Sequence, residues 1–217
     1  MPTPTFEVSD LRDLAQVGDL AAFVRLMRLA ALRTGGLLNQ AELARDASVS
    51  RSTAQRWLSI LEASFLLTVL PPFAESRAKR LIKSPKIYAG DTGLALHLCG
   101  ITDEETLSHE PIVGRWLENL VLNDLVAWRE TEVVKPEVFY RRSITGEEVD
   151  FVVERGRRLL PVEVKAARSV RVRDGRALDA FCEEFARRAP WGLLLYDGRE
   201  ALKLTKTTVA APLGAVL

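Results

Sequence analysis

The stretch "EEVDFVVERGRRLLPVEVK", from Glu147 to Lys165, sets carboxylates among strongly apolar β-formers. Gly156 and Arg157 suit the centre of a tight turn, because glycine tolerates the positive φ that such turns need. Pairing outward from there sets Glu154 opposite Leu159, Val152 opposite Pro161 and Asp150 opposite Glu163. Val149, Phe151, Val153, Leu160, Val162 and Val164 then share the other face, a period-two alternation that supports the register. Opposed side chains have Cβ atoms about 5 Å apart, where two carboxylates repel unless a cation intervenes. A hard divalent ion, Mg2+ or Mn2+, does that: two carboxylates, a carbonyl and waters complete an octahedral oxygen shell. Lys165, on the same face, is placed to orient an attacking water or to steady charge developing on a phosphate. The same residues admit a plainer reading, a wet sheet face whose acids pair with Lys165 for about 0 to 1 kcal/mol.

The elements that would hold these residues follow from periodicity. "PIVGRWLENLVLNDLVAWRE" starts at Pro111 and predicts a long helix, apolar around most of its circumference and therefore largely buried. Glu118 lies on it with Gly114 four residues before and Val121, Leu122 and Leu125 after, so an ionised carboxylate there needs a partner. A shared metal site would supply one, and so would a buried salt bridge to an arginine. Strands are expected at Val138 to Arg141, Glu148 to Glu154 and Leu159 to Lys165, then a helix around Arg176 to Arg187 and the strand "GLLLYD". The order is helix, three strands, helix, strand.

The N-terminal half has a different pattern. Leu20, Phe23, Val24, Met27 and Ala30 predict a core-facing helix from Asp19 to about Arg33, stopped by "TGG". "NQAELARDASVSRSTAQRWLSILEAS" reads as a helix-turn-helix, with a tight turn at Val49 and Ser50 as the second N-cap. On the second helix Ala54, Trp57, Leu58 and Leu61 form an apolar stripe. Arg51, Ser52, Gln55, Arg56 and Ser59 gather on the opposite, polar side, as a recognition helix requires. Two strands follow, "FLLTVLPPF" and one in "SPKIYAGD", which suggests a winged helix. The strip between them, with Arg77, Lys79, Arg80, Lys83 and Lys86, carries no acid and suits phosphates. Protein contact, or a merely solvated basic face, is the competing reading.

Composition bounds the rest. The chain has 217 residues, and its 30 basic and 29 acidic side chains give a net charge of +1, so no global field draws it to nucleic acid or an anionic membrane. Cys99 and Cys182 are isolated, which argues for free thiols rather than a disulfide framework or zinc site. The first ten residues lack a signal-peptide pattern and no run approaches the roughly 18 apolar residues of a membrane span, so a soluble, cytoplasmic protein is expected. His97 and His109 have no ligand spacing, and Trp57, Trp116, Trp128 and Trp191 read as core aromatics. The polar "GITDEETLSHE" suggests a boundary near Thr102 to Glu110, dividing the chain into residues 1–103 and 104–217.

Glu118 on a helix, Asp150 in "EVDFVV" and Glu163 with Lys165 in "PVEVK" resemble the signature of PD-(D/E)XK nuclease-like domains. More specifically, "LRTGGLLNQAELARDASVSRSTAQRWLSILEASFLLTVLPPF", "KRLIKSPKIYAGDTGLALHL", "GRWLENLVLNDL" and "EVDFVVERGRRLLPVEVKAA", in that order, resemble the C-terminal part of bacterial and archaeal AAA+-type ATPases that carry the domain of unknown function 4143. The resemblance implies an α+β chain: a winged helix-turn-helix unit, then a restriction-endonuclease-like domain with a mixed central sheet. It implies Asp150, Glu163 and Lys165 in catalytic positions, Glu118 as an accessory acid and Mg2+ as the ion. Such ATPases usually carry an N-terminal ATPase module, and this chain has no G-x-x-x-x-G-K-[ST]. A stand-alone remnant, a fragment, or a partner of a separate ATPase would each fit that departure. The function expected is metal-dependent phosphodiester hydrolysis with DNA contact through the N-terminal unit, and a non-enzymatic DNA-binding or ATPase-partner module is the alternative.

Overall fold

A computed structural model describes residues 18–74, 84–143 and 146–215. Arg77, Lys79, Arg80 and Lys83, read above as phosphate contacts, lie outside the described residues. The N-terminal stretch read for a signal peptide also lies outside them.

The first helix, α1 (Leu20–Leu32), is capped by Asp19, whose carboxylate accepts the Ala22 N–H at 2.9 Å. It buries Ala22, Phe23, Leu26, Ala30 and Ala31, while Leu20, expected in the core, is exposed. A short strand β1 (Gly36–Leu37) leads to α2 (Gln40–Asp46) and α3 (Arg51–Ala63). Between those helices Val49 N–H bonds Ala44 O and Ser48 N–H bonds Arg45 O, a closing pair that holds Ser48 at φ 59. Ser50 then caps α3 through the Thr53 N–H at 3.1 Å. Strands β2 (Leu67–Leu70) and β3 (Lys86–Ala89) complete an antiparallel sheet in the order β1-β3-β2. Its core gathers Phe23, Leu26, Leu43, Trp57, Leu61, Leu67 and Ile87.

Two short helices follow, α4 (Thr92–Leu98) capped by Asp91 and α5 (Glu104–His109) capped by Asp103. The polar run read as a boundary is therefore partly helical, since Asp103 takes the Thr106 N–H at 2.8 Å. The long helix α6 runs Val113–Thr131, two residues later than Pro111. It is less buried than expected: Trp116, Asn119, Val121 and Leu122 are inside, whereas Leu120 and Trp128 reach the surface. One stripe of α6 lies on the second sheet and a flank meets β3, so a narrow apolar face suffices.

The second sheet has six strands in the order β4-β5-β6-β7-β9-β8. These are β4 (Glu137–Arg142), β5 (Glu148–Arg155), β6 (Arg158–Lys165), β7 (Gly192–Tyr196), β8 (Leu202–Lys203) and β9 (Thr208–Pro212). The β4-β5, β5-β6 and β8-β9 pairs are antiparallel, and β6-β7 and β7-β9 are parallel, so the sheet is mixed and the chain is α+β. Helix α7 (Arg176–Glu184) makes the crossover between β6 and β7 and packs Leu178, Phe181 and Cys182 on the face away from α6. Strands β8 and β9 went unread in the sequence, because β9 turns only Thr208 and Ala210 fully inward and its apolar signal is weak. Asp179 holds that hairpin by accepting the hydroxyls of Thr205, Thr207 and Thr208 at 2.6 to 2.7 Å.

The two sheets are sewn together. Phe73 N–H bonds Tyr140 O and Tyr140 N–H bonds Pro71 O, which covers the free edge of β4. Phe73 joins Phe139, Phe181 and Phe185 in one core, and Leu70 and Tyr88 join Val121, Leu122, Phe151 and Val162 in another. No described helix is long and apolar enough to cross a membrane.

Candidate carboxylate site

The hairpin register is the one read from sequence: Glu154 faces Leu159, Val152 faces Pro161 and Phe151 faces Val162, around Gly156 at φ +61. The ladder ends there, one step short of Asp150 and Glu163, and the Val164 N–H instead donates to the Asp150 carboxylate at 2.8 Å. On the other edge of β5, Phe139 faces Val152 and Arg141 faces Val149, so Tyr140 alone faces both Asp150 and Phe151. This is a β-bulge, the device by which a strand re-aims one side chain. It also breaks the expected alternation: Val149 joins the Val152 core on the α7 face, whereas Phe151 points to the α6 face.

The wet-face reading of the acids does not hold, because the sheet is covered on both sides. Asp150 is 7% exposed and Glu163 6%. Lys165 Nζ donates to Glu163 Oε1 at 2.5 Å, while Glu163 Oε2 is buried without a hydrogen-bond partner among the described residues. Such an orphaned acceptor costs about 1 to 3 kcal/mol, more when charged.

Glu118 arrives from α6, and among the described residues its partners are a tyrosine and a lysine rather than an arginine. Tyr88 Oη donates to its Oε2 at 3.3 Å and Lys86 Nζ lies 3.9 Å from the same oxygen. Lys86, expected in the exposed basic strip, is 3% exposed. It forms an ion pair with Glu148 as well and sits over the Tyr140 ring at 5.5 Å from its centroid. The cause is strand parity: on β3, Ile87 packs into the first core, so Lys86 and Tyr88 must face the second unit. Sequence reasoning missed Lys86, Tyr88 and Glu148 as members of this cluster. The available signal was one basic residue opening the otherwise apolar strand "KIYA".

Four carboxylates thus meet two ammonium groups. Burial, then the charge of Asp150, pushes the Glu118 carboxyl up to about 7, against the pull of Lys86 and the Tyr88 hydrogen bond. Burial, then Asp150, pushes Glu163 up to about 8, with Lys165 opposing. Asp150 is raised too, by burial, although the Val164 N–H, Lys86 and Lys165 all favour its charged form. Burial works to lower Lys165, but the charge and hydrogen bond of Glu163 win and raise it. Each charge that disfavours another here would be relieved by a bound cation. Among the described residues no group of three or more His, Cys, Asp or Glu side chains converges as a ready metal cage. Mg2+ does not demand one, since it keeps several waters and is held by one or two carboxylates. The unpartnered Glu163 Oε2 beside Asp150 fits that donor set.

One residue along α6, Asn119 forms a different cluster. Its Oδ1 accepts the Ala89 N–H at 2.8 Å and the Thr34 hydroxyl, and its Nδ2 donates to Ala89 O at 3.0 Å and Thr92 Oγ1 at 2.8 Å.

Arg51, Ser52, Gln55, Arg56 and Ser59 all project from α3 into solvent, away from the carboxylate cluster's elements, and Ala54, Trp57, Leu58 and Leu61 are buried behind them. Of the four tryptophans, Trp57 and Trp116 are core residues, but Trp128 is 38% and Trp191 47% exposed, against the expectation for both.

Residues 5–105 match the domain of unknown function 8612, and residues 113–216 match the domain of unknown function 4143. Uncharacterized proteins of Mycobacterium tuberculosis and Mycobacterium bovis are each 32% identical over 210 residues, covering 95% of this chain and 46% of the relative. The chain thus spans just under half the length of the relatives it matches. No solved structure matches it.

Proposed function

We propose that the carboxylate cluster is the centre of a metal-dependent phosphodiester hydrolase. The observation that carries this reading is the buried, unpartnered Glu163 Oε2 beside Asp150, within a cluster that holds two more carboxylates than ammonium groups. A helix on one face, an antiparallel hairpin bearing the acids and a crossover helix to a parallel strand support a restriction-endonuclease-like fold. The order helix, strand, helix, helix, strand, strand before it supports a winged helix.

Asp150 and Glu163 would hold the ion, which when bound supplies Lewis-acid polarisation of a phosphoryl oxygen. The protein's own residues do the rest. The Val164 N–H fixes the Asp150 carboxylate. Lys165, tethered to Glu163 Oε1, presents its remaining N–H donors to a phosphate oxygen or an attacking water. Glu118, raised to about 7, is poised to take or give a proton near neutral pH. Lys86 keeps Glu118 and Glu148 in place from the neighbouring sheet.

Single- and double-stranded DNA and RNA, incubated with Mg2+ or Mn2+, give the test. Wild type should cleave at least one, while Asp150→Asn, which keeps an acceptor for the Val164 N–H, should lose at least 100-fold in rate. Equal cleavage by both proteins removes the cluster from the chemistry.

A second reading, non-enzymatic duplex binding through α3, is favoured by the exposure of Arg51, Gln55 and Arg56 over a buried stripe. It requires duplex affinity that falls with salt and weakens in an Arg51→Ala, Arg56→Ala variant, and salt-independent affinity would sink it.

A further inference from the structure

The tip of the β5-β6 hairpin, at the far end of these strands from Asp150 and Glu163, borders an open cleft of about 660 Å3. Its walls are Trp128 of α6, Trp191 just before β7, and Arg155, Arg158, Arg187 and Arg188. Among the described residues no acidic side chain lines it.

Half of its positive charge is already neutralised. Arg155 pairs with Glu132 at 2.7 Å, and Arg188 pairs with Glu154 at 2.5 Å while its Nε donates to Arg157 O at 3.0 Å. Arg158 and Arg187 are exposed and make no ion pair among the described residues. Two free guanidinium forks therefore stand beside two half-exposed indoles. Guanidinium matches phosphate oxygens in pairs, and an indole face accepts any base. The volume lies within the usual range for small-molecule and nucleotide sites. An acidic peptide would find charge here, but β5 and β6 are already paired on both sides, so it would find no free strand edge to extend.

We propose that this cleft binds single-stranded nucleic acid, one base stacking on Trp191 or Trp128 and the flanking phosphates held by Arg158 and Arg187. The site stands without hydrolysis. It lies five residues along either strand from the carboxylates, about 17 Å at the usual rise. Binding measured in the presence of a chelator is therefore independent of the cluster's chemistry.

The experiment is fluorescence anisotropy of a short labelled oligothymidylate with the whole chain in EDTA, alongside quenching of tryptophan emission. Wild type should bind and quench, and Trp191→Ala should weaken binding about tenfold, with Trp191→Phe restoring most of it. Arg158→Gln and Arg187→Gln should each lower the salt slope by about one. Because Trp191 is half-exposed, its variants should melt as wild type does, and a variant that does not is replaced by Arg158→Gln as the deciding case. Three results would overturn the proposal: affinity unchanged in Trp191→Ala and Arg158→Gln, binding abolished instead by Arg51→Ala with Arg56→Ala, or equal displacement by polyglutamate.

Discussion

Two buried polar clusters sit one residue apart on α6 and could hardly differ more. Around Asn119 the side-chain oxygen accepts twice and the amide nitrogen donates twice, and all groups are neutral. Around Glu118 the groups are ionisable, acids outnumber bases, and among the described residues Glu163 Oε2 has no hydrogen-bond partner. Both tie α6 to strand β3. A satisfied neutral network stabilises and specifies a junction, whereas an unsatisfied charged one costs stability that a purely structural junction has no reason to bear. The contrast separates the residue that docks the two units from the residues that are available for chemistry.

Removing Lys86 should sharpen the contrast most. Lys86→Met leaves Glu118 and Glu148 without their cation and should destabilise the protein by about 3 kcal/mol at pH 8, read from urea unfolding. The loss should shrink at pH 5, where Glu118 takes up a proton, and an equal loss at both would mean that Lys86 acts by packing alone.

Asn119→Ala comes next, at about 2 kcal/mol, since it removes the Nδ2 donor to the buried Ala89 C=O and leaves the Ala89 N–H only its longer contact with the Thr34 hydroxyl at 3.4 Å. That loss should not change between pH 5 and 8, because no member of the network titrates there. A pH-dependent loss would join the two clusters into one.

Taken per group and per pH unit, the smallest effect is a slope. Glu118 and Glu163 are raised from 4.5 to about 7 and about 8, so in that window the folded state holds more protons than the unfolded one. Stability is then greatest at the acidic end and falls as pH rises toward 7 and 8, by up to about 1.4 kcal/mol per pH unit for each group. Glu163→Gln should flatten the upper part of this slope, and millimolar Mg2+ should raise the melting temperature of wild type at pH 8 but not of Asp150→Asn. A slope that survives Glu163→Gln places the excess protons elsewhere.

The sequence made parts of this legible for physical reasons. Gly156 and the alternation from Phe151 to Val164 fix the hairpin register, because a slip by one residue would move Phe151, Val162 and Val164 together from the α6 face to the α7 face. The need of Glu118 for a partner followed from its apolar flank. The partner's identity did not, because Lys86 is brought in by β3 of the other sheet and nothing local to either residue encodes that contact. The bulge at Asp150 was illegible for a similar reason: it depends on β4, whose edge is pinned by Pro71 and Phe73 from far upstream. Trp128 and Trp191 were read as core on residue type alone, and type does not tell a covered aromatic from a half-covered one.

Strand β3 has a consequence for how the protein unfolds. Ile87 belongs to the first core and Tyr88 to the second, so consecutive residues of a four-residue strand are claimed by different halves of the molecule. Neither core can lose that strand and leave the other intact, which couples their melting into a single cooperative event. One calorimetric transition, with equal calorimetric and van't Hoff enthalpies, is its signature, and two resolved peaks would show that the halves let go of β3 separately.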